Sequence, residues 1–372
     1  MKSHLKTMNL EIETLSPLYI GSGKSINKKE YIYIEKGHRV LILDNNKFFN
    51  FLVKKNLIPE YEKFMLREQK DLYKWLIELN IRKEELELFK SYEINASDAI
   101  IADKTLKEIN LFIKDKYIKP YVPGSSLKGY IKTAILSKFI SEDKSFSSKV
   151  YLDMKNKLTE RKLEFKNEER EIETKYINKL PFESKKERNG SINSLMRGIQ
   201  ISDSEPIDIE NIILCTKIDY KKDKSKSEID IFRECIKPNT VIRHTFTYDH
   251  DIFKQCKIDI QFIKNSIKEF YNIQKKYHID KFIIDNDFEK IIDEEYEIYL
   301  GGGAGYNSKT LSYSLGNNDV LHFVSKIMDK KFKDHKHYQD VDLGISPRTL
   351  KCTKYNNKYY IMGRCKILFN EA

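Results

Sequence analysis

The sequence predicts an α+β fold, and three observations carry that prediction. Strand-like alternation and helical spacing of apolar residues interleave in both halves of the chain. Glycine-rich stretches fall where strand-like runs give way to helical ones. A length of 372 residues exceeds what one hydrophobic core usually organises, so two domains are expected. With 40% apolar residues, including 23 Tyr and 20 Phe, both cores can be filled, and wholesale disorder is not expected.

Taken in order, Leu10, Ile12 and Thr14 alternate with Glu11 and Glu13, which puts the first set on one face of a strand. A glycine-flanked loop, GSGKS at residues 21–25, follows. Residues 31–43 read as two short strands around a turn at Lys36 and Gly37, and Asp44 is the expected N-cap of a helix carrying Phe48, Phe51 and Leu52. Residues 59–92 have a helical pattern, with Phe64, Leu72, Trp75, Leu76 and Leu79 as an intermittent apolar stripe.

At residues 121–140 a turn at Pro123 and Gly124 feeds a helix marked by Leu127, Ile131, Ala134, Ile135 and Phe139. Residues 141–190 are dominated by Lys, Glu and Asn and read as a charged, largely helical insertion that buries little surface by itself. Residues 196–204, 211–220 and 229–248 have strand composition, with a turn at Pro238 and Asn239. A helix follows through Ile260, Ile263, Ile267 and Phe270, and then a strand at 296–300 enters GGGAGYNSKT. The expected organisation is two ferredoxin-like (RRM-like) domains, residues 1–200 with the insertion at 141–190 and residues 201–372 with the late glycine-rich loop.

A formal charge of +11 suits a polyanionic partner, because Lys and Arg release counterions condensed on phosphates. A membrane surface or an acidic protein fits the same charge. The lysine excess, alongside heavy use of Ile, Asn and Tyr, also resembles proteome-wide composition bias. Five cysteines without a CxxC pair indicate neither a disulfide framework nor a zinc ribbon. With no apolar leader core and no run of about 18 apolar residues, a cytoplasmic protein without a membrane partner is expected.

Three loops have the chemistry to grip a phosphodiester backbone. In PGSSLKG, Gly124 allows a tight turn, Ser125 or Ser126 is placed to cap the following helix, and free N–H groups would face an anion. Lys128 and Lys132, four apart beside Gly129, share one helical face. Four glycines within five residues, Gly301, Gly302, Gly303 and Gly305, expose backbone N–H groups, with Tyr306 as a stacking face and Lys309 as a charge.

The third loop, with Gly21, Gly23 and Lys24, is not a nucleotide-binding P-loop. That motif needs glycine six residues before Lys24, where this chain has Leu18. His335 and His337, near Asp334 and Asp340, read as solvated surface rather than a metal site. His38 falls in a hairpin turn and His244 in a strand.

The set YVPGSSLKGYIKTAIL, ISDSEPI, LGGGAGYNSKT, SPRTLKC and YYIMGRCKI resembles the RAMP superfamily of CRISPR-associated proteins. The order of elements and the SPRT segment at 346–349 narrow the resemblance to the family of fifth subunits of type III-A Csm effector complexes. Matching pieces span residues 10–368, and the stretch 141–190 has no counterpart.

The resemblance implies a non-catalytic, antiviral ribonucleoprotein subunit. Its glycine-rich loops would contact CRISPR guide RNA, with assembly among other Csm subunits, next to the repeated backbone subunit. It further implies a role at the guide 3′ end and in its maturation, through organisation of the complex or recruitment of a cellular 3′-trimming nuclease. By the same likeness Gly124, Ser125, Ser126, Lys128, Gly129 and Lys132 match the RNA-facing loop, residues 301–310 match the late loop, and Arg348 joins the RNA-binding set.

Lys132 stands where the family often has arginine, which keeps the charge but loses the fork geometry. Arg364 stands where an aromatic is expected after Gly363. No catalytic residue, metal ligand or cofactor is assigned. The competing readings are a metal-independent endoribonuclease that processes CRISPR precursor RNA with a His or Lys as general acid or base, His38 and His244 being the histidines to test, and a purely structural subunit whose loops grip its neighbours.

Overall fold

A computed structural model of the chain describes residues 4–66, 71–99, 106–160, 163–180, 191–291, 294–315 and 319–371. At its centre Leu5–Thr14, with Leu10, Ile12 and Thr14 fully buried, pairs antiparallel with Val241–Asp249 on one side and Arg364–Glu371 on the other. Ile199–Ile201 pairs with the outer edge of Val241–Asp249. Helix Gly124–Glu142 lies between the first of these strands and Ile199–Ile201 along the chain, and helix Ile260–Tyr277 lies between the last two. The two helices pack together, with the Tyr130 and Phe270 rings 5.5 Å apart.

Counting these four strands, the spatial order is fourth, first, third, second, with both crossovers helical, which is the ferredoxin-like arrangement. Glu297–Tyr299 adds a fifth strand beside Arg364–Glu371. There the buried Arg364 guanidinium grips Glu297 with two bonds of 2.5 and 2.9 Å. Arginine therefore occupies the expected aromatic position because a buried carboxylate faces it.

A second sheet of nine strands runs from Gly21–Ile26 through Ile109–Phe112, Lys226–Ile236, Ile212–Lys221, Lys90–Asn95 and Arg39–Leu43 to Tyr31–Ile34, with the Thr349–Tyr355 and Lys358–Ile361 hairpin attached to Ile212–Lys221. Both sheets take strands from either side of residue 200, where composition suggested a domain junction. One buried apolar cluster serves both sheets. A smaller one, around Phe48, Phe64, Trp75 and Phe89, forms under the N-terminal hairpin and its helices.

The 31–43 hairpin and the Asp44 cap form as expected, with the Asp44 carboxylate accepting from the N–H groups of Asn46 and Lys47. Three expectations change. GSGKS is a strand edge rather than a loop, since Gly21–Ile26 pairs with Ile109–Phe112 around a bulge where Gly23 takes φ +77°. The helical stretch expected to reach residue 92 ends earlier, and Lys90–Asn95 is a strand because Tyr92 and Ile94 face the core.

The third concerns the charged stretch. Its helices Lys144–Lys157 and Lys166–Tyr176 bury Val150, Tyr151, Ile172 and Tyr176 against the main core, so it is docked by apolar contacts that its lysine-rich composition hid. Residues 161–162 and 181–190 of that stretch lie outside the described residues.

Candidate nucleic-acid interface

Helix Gly124–Glu142 starts after Pro123, whose fixed φ suits the entry into a helix. Neither serine caps it. The Gly124 N–H donates to the Asp203 carboxylate at 2.9 Å, and Val122 N–H donates to Ser204 Oγ at 2.9 Å. A Cβ on Gly124 would lie 2.2 Å from the Ile201 carbonyl oxygen and 2.4 Å from that of Ser202, so only glycine lets these backbones touch. ISDSEPI is thus the strap that seats PGSSLKG. Asp203 was not singled out as a site residue, although its motif was. Its carboxylate already answers the helix N-terminus, so the axis is occupied and only the flank of the first turns is left open to an anion.

That flank is open. Ser125, Ser126, Gly129 and Thr133 form one wall of a groove of about 310 Å³, and Leu300, Gly301, Ser308 and Lys309 form the other. The fold therefore brings together the two glycine-rich segments that the sequence separates. Gly129 is exposed, and a Cβ there would meet nothing within 4 Å. Packing does not require this glycine, although it costs about 1 kcal/mol relative to alanine inside a helix.

Lys128 is half-buried and has no carboxylate partner among the described residues, and the loss of solvent lowers its pKa below the ordinary lysine value. Lys309 is exposed and likewise unpaired among the described residues. Lys132 is placed differently, with its ammonium 2.6 Å from Glu173 of the charged insertion.

The late loop turns through Gly301, Gly303 and Gly305 at φ +75°, +84° and +91°. Gly302 N–H donates to the Tyr19 carbonyl at 2.7 Å, and a Cβ on Gly301 would lie 2.1 Å from that same oxygen. These glycines serve close approach to the protein's own backbone. Tyr306 is half-buried, its hydroxyl shares a 2.9 Å hydrogen bond with Ser312 Oγ, and burial raises its pKa. Gly21, Gly23 and Lys24 sit on the edge of the second sheet and do not line the groove.

Arg348 is half-buried and engaged by the protein itself. Its guanidinium lies 3.3 Å from the buried Asp340 carboxylate and also donates to the His335 carbonyl. Asp340 meets His337 Nδ1 and Ser346 Oγ, each at 2.8 Å. His337 and Asp340 are therefore buried and mutually bonded, not solvated surface, because residues 346–349 fold over them. No group of three metal-ligating side chains occurs among the described residues.

His38 takes a left-handed turn with Nδ1 3.1 Å from the Tyr33 hydroxyl. His244 is buried and donates from Nδ1 to the Ser202 carbonyl at 2.9 Å, and burial lowers its pKa, which favours the neutral ring. Neither histidine lines the groove.

A ferredoxin-like core whose first helix opens on PGSSLKG and faces a second glycine-rich loop defines a class of protein, and a family model bears it out. The model of the RAMP superfamily matches residues 11–305, and the chain belongs to that superfamily. Its similarity extends to curated proteins named Csm5. It is 28% identical to that of Streptococcus thermophilus, over 84% of this chain and 82% of the relative. It is 25% identical to that of Mycobacterium tuberculosis over the full length of both.

Among solved structures, a chain of a type III-A Csm, crRNA and target RNA ternary complex superposes with a TM-score of 0.66 at 18% identity, covering 97% of this chain and 100% of that one. The crystal structure of Csm5 from T. onnurineus gives 0.63 at 17%, covering 96% and 99%. These superpositions establish the shared fold.

Proposed function

We propose that the chain is the Csm5-type subunit of a type III-A Csm effector complex and binds the 3′ region of the CRISPR guide RNA without cleaving it. The observation that carries the reading is the groove between the two glycine-rich segments, where Lys309 has no carboxylate partner among the described residues, and Lys128, on the same helix but outside the groove lining, has none there either. Phosphates are the natural complement of cations left unpaired beside a flat, glycine-lined wall. Gly124, Gly301, Gly302 and Gly303 hold the two walls in place. Ser125, Ser126, Lys128, Gly129 and Lys309 meet the strand.

Relatives named Csm5, and a fold neighbour in a complex with crRNA and target RNA, support the choice of guide RNA and of other Csm subunits as partners. The repeated backbone subunit is the expected neighbour. Maturation of the guide 3′ end follows from binding there, which organises the complex for a cellular trimming nuclease in the cytoplasm.

Two experiments test the reading. Deletion of the subunit is expected to leave guides of altered length, and guides of normal mature length argue against the 3′-end role. Purified protein incubated with precursor RNA in EDTA is expected to leave it intact. Repeat-specific cleavage abolished by His38→Ala or His244→Ala overturns the non-catalytic assignment.

A further inference from the structure

We propose that the cavity between the charged insertion and the late glycine-rich loop receives one unstacked base of the bound RNA. This rests on the RNA-binding reading above and assigns a role to residues 141–180, which that reading leaves idle. The cavity measures about 520 Å³, room for a nucleobase. Met154, Phe165 and Ile172 of the insertion form one apolar wall, and Leu136 of the core helix faces them.

The cavity adjoins the groove, with Thr133 and Lys309 lining both. An RNA strand lying along the groove therefore passes beside it. Lys331 stands at the cavity 5.9 Å from the Tyr306 ring and, like Lys309, has no carboxylate partner among the described residues.

The occupant follows from the match of wall and rim. An apolar peptide side chain would use the wall and leave the lysines uncompensated. A free phosphate would use the lysines and leave the wall wet. A nucleotide uses both, with its base against Phe165 and Met154 and its phosphate near Lys309 and Lys331. Glu169 and Glu173, also lining the cavity, accept from the N–H edge of a base. The insertion then acts as the outer jaw of a base pocket, and the Lys132 to Glu173 ion pair at 2.6 Å ties that jaw to the RNA-facing helix.

The test is photocrosslinking of the full-length protein to single-stranded RNA carrying 4-thiouridine throughout, with adducts mapped by mass spectrometry. Adducts on Phe165, Met154 or Tyr306, alongside those in the groove, are expected. Met154→Trp, which fills the cavity, is expected to weaken RNA binding about tenfold, the worth of one stacked base. Lys331→Ala, which leaves the wall intact, is expected to weaken it about threefold.

Adducts confined to the groove, with RNA bound as tightly by both variants as by the parent, overturn the pocket and leave the RNA-binding reading standing. Failure of the parent protein to bind any RNA overturns that reading and this one with it. The mapping on the parent protein decides the matter even where the Trp variant does not fold.

Discussion

Between residues 144 and 176, four lysines are each met by a carboxylate: Lys149 by Glu171 at 2.5 Å, Lys155 by Asp319 at 2.7 Å, Lys157 by Glu168 at 2.9 Å and Lys175 by Asp143 at 2.6 Å. Lys309 in the groove, and Lys128 on the helix that forms one of its walls, meet none among the described residues. Four lysines of the lysine-dense region are thus neutralised locally, while Lys309 in the lysine-sparse groove keeps uncompensated charge. Local pairing, not lysine count, decides where uncompensated positive charge remains for a polyanion.

Charge reversal gives the largest contrast. Lys128→Glu with Lys309→Glu is expected to weaken RNA binding on the order of a hundredfold, as two charge-assisted contacts are lost. Reversal of Lys149 and Lys155 is expected to change it less than threefold. Filter binding at fixed salt measures both, and equal losses for the two pairs would erase the distinction.

Next in size is a pair of glycines in one motif. Gly124→Ala drives a Cβ into two carbonyls and is expected to cost about 2–4 kcal/mol in urea unfolding. Gly129→Ala meets open space and is expected to stabilise the fold by about 0.5–1 kcal/mol. If the groove carries RNA, the same substitution weakens binding while the protein gains stability. Unchanged affinity would remove Gly129 from the interface.

A subtler measurement is the salt dependence of binding. Lys128→Ala is expected to reduce the slope of log affinity against log salt by about one, whereas Lys149→Ala leaves it unaltered.

The smallest effect concerns acid. Hydrogen bonding to Lys155 holds the Asp319 carboxyl below its ordinary pKa, and hydrogen bonding to Lys175 does the same for Asp143. The folded chain therefore binds fewer protons than the unfolded one as pH falls, and the stability present above the ordinary carboxylate range is lost as the pH drops through the lowered values. Hydrogen exchange should show helices Lys144–Lys157 and Lys166–Tyr176 loosening as the pH drops below the ordinary carboxylate range, before the central sheet does. Simultaneous loosening of both regions would show that the ion pairs do not govern the docking of the insertion.

Much of the fold was legible because its signals are local. Alternation placed Leu10, Ile12 and Thr14 inward, Asp44 capped its helix three residues before Lys47, and Leu127, Ile131 and Ala134 marked the face on which the core helix rests. The GSGKS strand was missed because its glycines resemble a loop, and its partner at residues 109–112 lies far along the chain. Arg348 joined the RNA-binding set on the strength of its motif alone. The buried Asp340 that holds it is identified only once residues 346–349 fold over it.

By itself the sequence determined which segments alternate, which coil and which glycines stand at turns, because φ/ψ preference and apolar period act over a few residues. It also carried the motifs of the superfamily. The tertiary structure alone decided that Asp203, 79 residues further on, answers the Gly124 N–H. It alone set residues 301–309 against the flank of the 124–142 helix and settled which lysines are matched by a carboxylate among the described residues. Those outcomes depend on Coulomb and steric contacts within a few ångströms, between residues whose separation along the chain carries no record of their meeting.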